Sequence, residues 1–325
     1  GIRLKSKPKG HPQGPRVVAL GGGTGLSTLL RGLKEYTDNI TAIVTVTDTG
    51  GSSGRLRLEL GMLPPGDVRN CLVALADTEP LMEQLFQYRF PGGSGLAGHS
   101  FGNLFLATMC EVVGDFQGAI KETSRVLKVR GQVLPATLTS ANLVAEYVDG
   151  TVARGETSIC RPGVPIRRLS LDPPECQPVP DALAAIATAD LIVLGPGSLY
   201  TSILPNLLVQ GIPEALASSP AVKVYVVNVM TQPGETDGYT AADHIRAVVD
   251  QGGQQIIDWA LVNTQGPVGG TLVRYREEGA EPVSVNRQEL EGFGLRIKEA
   301  PLLYVNDMAR HDPDKLAQSV LALLT

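Results

Sequence analysis

The sequence predicts an α/β protein with a Rossmann-like three-layer fold, a mainly parallel central sheet and a small antiparallel β insertion. Short, uninterrupted apolar runs are typical of strands buried on both faces of a parallel sheet. These runs occupy residues 16–20, 39–46, 190–194, 223–229 and 256–262. Three of them end in turns rich in glycine and hydroxyl residues. Shorter β-type runs within about 132–178 predict the insertion.

The composition is that of a globular protein with a large core. Of its 325 residues, 43% are hydrophobic, and the net charge of −5 creates no positive field that would attract nucleic acid. The four cysteines lack C-x-x-C spacing, which favours a reducing, cytoplasmic compartment. No apolar stretch approaches the roughly 18–20 residues that span a bilayer. We expect a flexible basic tail at residues 1–15 and a single domain at residues 16–325.

The first apolar run leads into the glycine-rich turn at residues 21–25, and a helical pattern follows. Such a turn presents backbone amides and the positive end of a helix dipole to an anion. Its spacing lacks the last small residue of the dinucleotide fingerprint and the lysine of a P-loop. Two interpretations stay open, namely a tight turn without a ligand and a phosphate site. The candidate residues are Gly22, Gly23, Thr24 and Gly25.

A second turn, rich in glycine and serine, follows the run at residues 39–46. Ligands of open parallel sheets bind at the carboxyl ends of the strands, so the first two turns should face one site. Its serines either cap the next short helix or donate to phosphate oxygens. The candidate residues of this turn are Asp48, Gly51, Ser52, Ser53 and Arg55.

Two polar helix starts come next. Asp67 follows a cluster of helix breakers and is interpreted as a helix N-cap, with Arg69 and Asn70 in the same polar turn, which suits a helix start that faces a cleft. The glycine-rich residues 91–98 form a lid-like loop before His99 and Asn103. His99 is interpreted either as a capping or packing residue or as a group for acid–base chemistry.

A third loop of glycines and hydroxyl residues follows the run at residues 190–194, and its helix start is again an anion site. Its candidate residues are Gly195, Gly197, Ser198 and Tyr200. After the run at residues 223–229, Thr236 and its acidic neighbours either cap the next helix or hold a ribose, sugar hydroxyls or a metal.

The C-terminal part is predicted to contain a short strand at residues 282–286 and a helix at residues 314–324. Arg310 and His311 precede this helix. They are interpreted either as phosphate ligands at its positive end or as surface residues.

Six motifs in this order resemble the gluconeogenesis factor (YvcK) family of the CofD-like superfamily, which also contains phospholactate transferases. They read GGGTGL, TGGSSGRLR, PGDVRN, GHSFGN, GPGSLYTS and NVMTQPGETDGYT. The resemblance implies a cytoplasmic protein that binds UDP-sugars, particularly UDP-N-acetylglucosamine. It also implies a role in cell shape and wall synthesis during gluconeogenic growth. A nucleotide-sugar ligand, a partner protein in wall synthesis or regulation, and a homodimer are expectations on the same basis.

The resemblance also extends the set of candidate residues. Asn228 and Thr231 fall within the last motif, and Tyr275 and Arg310 match a tyrosine and an arginine that the family links to the nucleotide sugar. A tyrosine can stack on uracil and an arginine can hold a diphosphate. The resemblance therefore favours Arg310 as a ligand-binding residue.

One departure from the family pattern bears on chemistry. Relatives commonly carry two adjacent aspartates where this chain has Asp48 and Thr49. The alternative function is a Mg²⁺-dependent transferase of a phosphoester group from a nucleotide-linked donor. In it, Asp48 or Asp67 would hold the metal and His99 would serve in acid–base catalysis. A third hypothesis, NAD-dependent oxidoreduction, requires the fingerprint that the first loop lacks.

Overall fold

A computed structural model describes residues 14–161, 163–304 and 309–325. Residues 1–13 of the predicted basic tail lie outside the described residues. The last two residues of the predicted tail, Gly14 and Pro15, contact the domain. The carbonyl of Gly14 accepts a hydrogen bond from Asn39, and that of Pro15 accepts one from Thr37.

The core of the fold is a seven-stranded parallel sheet with the order β10-β9-β8-β7-β1-β2-β3. Its strands are β1 (Val17–Gly21), β2 (Ile40–Val44), β3 (Gln132–Pro135), β7 (Leu191–Leu194), β8 (Val222–Val226), β9 (Trp259–Asn263) and β10 (Arg296–Ala300). The five strands predicted from apolar runs are the five inner ones. The edge strand β10 was missed because it carries exposed polar residues and lacks a continuous apolar run, whereas β3 was predicted as part of the antiparallel insertion instead of the central sheet.

A second, three-stranded antiparallel sheet forms the insertion. Its strands are β4 (Asn142–Tyr147), β5 (Val152–Arg154) and β6 (Ile166–Asp172), in the order β5-β4-β6. The turn at Gly150, with φ of 84°, joins β4 to β5 as an antiparallel pair. The sheet lies within the predicted range of about 132–178, but β3 at the start of that range belongs to the central sheet.

Helices cover both faces of the central sheet, which confirms the α/β prediction. One face packs against α1 (Gly23–Leu33), α3 (Gly66–Leu75), α5 (Phe101–Val113), α6 (Phe116–Val126) and α13 (Pro313–Leu321). The other packs against the insertion, α7 (Pro180–Thr188), α8 (Leu204–Leu207), α9 (Ile212–Ser218), α10 (Ala241–Gly252) and α12 (Arg287–Glu291). The remaining helices are α2 (Gly51–Leu60), α4 (Pro80–Gln87) and α11 (Gly269–Glu277).

The prediction of a strand at residues 282–286 is wrong. Its only ladder contact within the described chain is a single bridge between Met230 and Pro282. Val283 is partly buried against the core, and its amide donates to the carbonyl of Val229. The alternating pattern therefore reflects one-sided burial of an irregular segment that covers the end of β8.

The order of the strands places a topological switch between β1 and β7. From β1 the chain proceeds outwards through β2 to β3, whereas β7, on the other side of β1, continues outwards through β8 and β9 to β10. In open α/β sheets the ligand crevice lies outside the carboxyl ends of the strands at such a point. The fold therefore directs attention to the loops that follow β1 and β7.

No helix among the described residues has the length and hydrophobicity needed to cross a membrane.

Candidate functional site

The first and third glycine loops pack against each other at the switch between β1 and β7. A Cβ atom on Gly25 would lie 2.4 Å from the carbonyl oxygen of Pro196, and one on Gly197 would lie 3.5 Å from the carbonyl oxygen of Gly22. Gly197 also has φ of 156°, and Gly23 has φ of 62°. Glycine is required at residue 25 because the Pro196 carbonyl leaves no room for a Cβ atom, and it is favoured at residues 23 and 197 by their positive φ angles.

Asp67 is not the N-cap of its helix, as the sequence had suggested, because Pro65 occupies that position. Its carboxylate instead accepts hydrogen bonds from the backbone amide of Gly23 and from Thr45 Oγ1, the latter at 3.3 Å. Burial, reinforced by the charge of Asp48, raises the pKa of Asp67 to about 6. Asp67 therefore joins the loop after β1 to the end of β2.

Neither serine of the second loop caps α2, since Gly50 is its N-cap. Ser53 Oγ accepts a hydrogen bond from the Gly66 amide at 3.0 Å. Ser52 Oγ lies 2.7 Å from His99 Nδ1 and accepts a hydrogen bond from Asn103 Nδ2 at 3.0 Å. These buried contacts join the starts of three helices, α2, α3 and α5.

His99 is 3% exposed, and its pKa is lowered first by burial and then by the positive charge of Arg55. The ring is therefore neutral at neutral pH. Since Ser52 occupies Nδ1, only Nε2 remains for a further partner.

A cavity of about 560 Å³ opens beside these helix starts, and we call it the arginine cavity. It contains eight of the predicted site residues, namely Asp48, Gly51, Ser52, Ser53, Arg55, Asp67, Asn70 and Asn103. It also contains Arg69 and Arg89, which were not among the predicted site residues. Arg89 follows α4 without any local motif that marks it, so its position depends on the tertiary fold.

The insertion adds a carboxyl group that the sequence analysis missed. A short 3₁₀ turn, Glu156–Ser158, packs against the second loop, where Thr157 Oγ1 lies 3.3 Å from Thr49 Oγ1. Burial and the charges of Asp48, Asp67 and Glu235 raise the pKa of Glu156 to about 9. The pKa of Asp48 is also raised, chiefly by burial. Glu156 therefore stays protonated near neutral pH and adds no further negative charge.

The third loop is fixed by contacts with the segment after β8. Ser198 Oγ accepts a hydrogen bond from Gln232 Nε2 at 2.8 Å, and the Tyr200 amide donates to Glu235 Oε1 at 2.9 Å. Thr231 and Thr236 accept hydrogen bonds from backbone amides, at 2.9 and 2.8 Å respectively. In these contacts the two threonines shape the turn that supports the third loop.

Tyr200 faces a different space. Its hydroxyl lies 2.7 Å from that of Tyr239, and both rings border a cavity of about 720 Å³ between β6 and α10. Tyr200 does not line the arginine cavity.

Asn228 lies further along the same edge of the sheet, in a pocket of about 210 Å³ at the ends of β8 and β9. Gln265 also lines this pocket and accepts a hydrogen bond from the Leu303 amide at 3.3 Å. The amide of the next residue, Tyr304, donates a hydrogen bond to the backbone carbonyl of the exposed Arg310 at 3.2 Å. Hydrogen bonds through Leu303 and Tyr304 therefore connect the segment that carries Arg310 to Gln265, although no described residue of that segment lines the pocket.

Tyr275 lies on α11, which follows β9, and it is partly buried. No contact between described residues joins it to Arg310, so their shared role stays a prediction.

Among the described residues, no group of three or more histidine, cysteine, aspartate or glutamate side chains has the geometry to hold a metal ion. Metal binding by Asp48 and Asp67 therefore stays an expectation that involves two carboxylates.

The comparisons with known proteins agree with one another on the family. A family model described as 2-phospho-L-lactate transferase CofD matches residues 17–303. The gluconeogenesis factor of Halalkalibacterium halodurans is 54% identical over 307 residues, covering 94% of this chain and 95% of that protein. The gluconeogenesis factor of Bacillus subtilis is 52% identical over 313 residues, covering 96% and 99%. A crystal structure of a UPF0052 family protein from Bacillus halodurans has a TM-score of 0.92 at 52% identity, covering 95% of this chain and 99% of that one.

We predict that Gly25→Ala destabilises the protein by about 1–3 kcal/mol, because the new methyl group would overlap the Pro196 carbonyl and force the loops apart. Urea unfolding measures the change. Gly92→Ala is the matched control, since a Cβ at Gly92 meets nothing within 4 Å, and it should change stability by less than about 0.5 kcal/mol. Equal stability of the two variants would contradict the packing described here.

We also predict that Glu156→Gln stabilises the protein at about pH 8, by up to about 5 kcal/mol. The pKa of Glu156 rises from 4.5 when unfolded to about 9 when folded, so the stability it contributes is lost as pH rises between these values. Glutamine is neutral in both states and removes that loss. Wild type and variant should therefore converge near about pH 4, where the unfolded glutamate is protonated as well.

Urea unfolding across this pH range measures the effect. Glu122→Gln, which removes a solvent-accessible ion pair with Arg125 on α6, is the control, and its profile should stay parallel to that of the wild type. A Glu156→Gln profile parallel to that of the wild type would show that Glu156 ionises normally in the folded protein.

Proposed function

The chain belongs to the gluconeogenesis factor (YvcK) family within the CofD-like superfamily, and we propose that it is a cytoplasmic regulator that binds a nucleotide sugar. UDP-N-acetylglucosamine is the first candidate ligand. The observation that carries this proposal is the close pairing of two glycine loops at the switch between β1 and β7. The crevice beside these loops, which we call the glycine crevice, lies where open α/β sheets bind phosphorylated ligands.

The start of α1 supports a diphosphate in this crevice. Its N-cap is Gly22, without a side-chain cap, and its first turn contains no acidic residue. The first amides of a helix have no partner within the helix, and the helix dipole favours an anion at this end. Asp67 binds the Gly23 amide, which leaves the other amides of the turn for a ligand.

The pocket at the ends of β8 and β9 is the proposed base and sugar end of the site. The amide side chains of Asn228 and Gln265 line it, and both can donate and accept hydrogen bonds. Arg310 would approach the diphosphate from the segment connected to Gln265, and Tyr275 would stack on the base. Extended along the carboxyl edge of the sheet, one ligand would connect β1, β7, β8 and β9.

In this proposal, ligand occupancy governs the contact with a partner protein in wall synthesis or its regulation. The chain would thereby link the supply of nucleotide sugars to cell shape during gluconeogenic growth. A regulator of this kind binds its ligand without turning it over.

We predict that calorimetric titration detects binding of UDP-N-acetylglucosamine or UDP-glucose, with no binding of NAD and weaker binding of GDP. Arg310→Ala should weaken the binding by about tenfold or more, because a charged hydrogen bond contributes about 1.5–3 kcal/mol. Arg125→Ala removes an exposed guanidinium on α6 and should leave the affinity unchanged. If the folded wild-type protein binds none of these nucleotides, with or without Mg²⁺, the proposal is wrong.

The second candidate is a Mg²⁺-dependent transferase that uses a nucleotide-linked phosphoester. The placement of Asp48 and Asp67 in the arginine cavity, beside the glycine crevice, favours it. Mg²⁺ is commonly held by one or two carboxylates together with substrate phosphates, so this pair fits the ion. When bound, the ion would polarise the phosphoryl oxygens, while the neutral His99 would accept a proton at Nε2 in the tautomer whose Nδ1–H donates to Ser52 Oγ.

For this alternative we predict product formation that falls by at least about 100-fold in Asp67→Asn, since the variant loses a charged metal ligand but keeps the side-chain shape. Chromatographic analysis of the nucleotide product, with Mg²⁺ present, is the measurement. Glu122→Gln should retain full turnover. Binding without any product in the wild type would exclude the transferase for the donors tested.

A further inference from the structure

We infer that the arginine cavity binds a second ligand, a small organic anion with a phosphate or carboxylate group. This ligand would lie beside the glycine crevice, in which the nucleotide is proposed to bind. The inference goes beyond the proposed function and rests on it only for the position of the nucleotide in the neighbouring crevice.

The cavity contains three positively charged side chains that have no anionic partner. Arg55, Arg69 and Arg89 line it, and none forms an ion pair with a described carboxylate. Arg55 donates to the carbonyl oxygens of residues 97 and 95 at 2.6 and 3.1 Å, and Arg89 donates to that of residue 98 at 2.9 Å. Because these acceptors are neutral, the only carboxyl groups of described residues in the cavity that offset the three guanidinium charges are Asp48 and Asp67, and Asp67 attracts Arg69.

Arg69 shows the deficit most clearly, because it is only 5% exposed. Its terminal nitrogens donate to Ser100, Asn103 and Asn70 at 2.6, 2.8 and 3.2 Å. Its Nε is buried without a partner in the described chain. Burial, followed by the charge of Arg89, lowers the pKa of Arg69 to about 10. A buried cation with only neutral partners is costly, and a bound anion would offset that cost.

Helix dipoles add to this positive field. The first turns of α2, α3 and α5 all contribute residues to the cavity, and the three helices are 10, 10 and 13 residues long. The first turns of α2 and α5 contain no acidic residue. Each helix start carries about half a positive charge, which favours an anion near it.

The carboxyl groups and the arginines lie at opposite ends of the cavity, and this arrangement orients the ligand. Asp67 is hydrogen-bonded to the glycine loop at one end, whereas Arg69 is hydrogen-bonded to the start of α5 at the other. The anionic group would therefore bind at the arginine end, and hydroxyl groups would face Asp48 and Asp67. A volume of about 560 Å³ accommodates an organic molecule of several carbon atoms rather than a bare phosphate ion.

The same arginines hold the lid-like loop. Since Arg55 and Arg89 donate to carbonyl groups at residues 95, 97 and 98, an anion that takes over these donors would release or reposition the loop. Ligand binding should therefore alter hydrogen exchange at residues 91–98.

The experiment uses calorimetry on the full chain at fixed ionic strength, with inorganic phosphate, 2-phosphoglycolate, citrate and glycerol as probes. We expect 2-phosphoglycolate or citrate to bind and glycerol to fail. Binding should weaken by about tenfold or more in Arg89→Gln and recover in part in Arg89→Lys. Arg125→Gln, an exposed arginine outside the cavity, should match the wild type. A preference for 2-phosphoglycolate over citrate would identify phosphate as the anionic group, and the reverse preference would identify carboxylate.

Hydrogen exchange at residues 91–98 and competition with UDP-N-acetylglucosamine complete the test. Persistence of anion binding under saturating UDP-N-acetylglucosamine supports a second site, whereas full competition overturns it. The inference also fails if none of the anions binds, or if Arg89→Gln binds as tightly as the wild type. Anion binding in a protein that binds no nucleotide would support this site and contradict the proposed function.

Discussion

The close approach of the backbones after β1 and β7 is the constraint on which the rest of the site depends. These two strands are neighbours from which the chain proceeds in opposite directions, so their loops meet above one point of the sheet. Contact at that point requires glycine at residue 25 opposite the Pro196 carbonyl. The hydrogen bonds of Asp67 to Gly23 and Thr45 then tie α3 to the same point. Ser53 of α2 and Ser100, the N-cap of α5, contact α3 in turn.

The sequence predicted what depends on local pattern and missed what depends on distant partners. The five inner strands and all three glycine loops could be recognised because each is a contiguous stretch with its own period or turn chemistry. Asp67 had the position of an N-cap, yet tertiary contacts with the first loop determine its role. Glu156 and Arg89 carry no local pattern, so only the folded chain reveals that they belong to the site.

Charge is unevenly distributed within the site. Carboxyl groups collect next to the glycine crevice, where they raise one another's pKa values, whereas guanidinium groups without a described ion-pair partner collect at the start of α5. The buried Arg69 opposes folding, because a buried charge without an ionic partner is costly, whereas the exposed Arg89 carries no such cost. Proteins tolerate such costs at positions where a ligand repays them, and perturbed ionisation is therefore concentrated at functional sites.

The 3₁₀ turn at Glu156 has a consequence for how this architecture can diversify. The glycine loops belong to the central sheet, but the acid at residue 156 comes from a separate small sheet inserted between β3 and α7. Thr157 joins this turn to the second loop through the side chain of Thr49. Because the insertion also packs against the central sheet, substitution of residue 156 alone, rather than exchange of the whole insertion, would change the number of ionisable protons at the site while the glycine loops kept their contacts. The fold thus supplies the glycine loops and this acid from two different sheets.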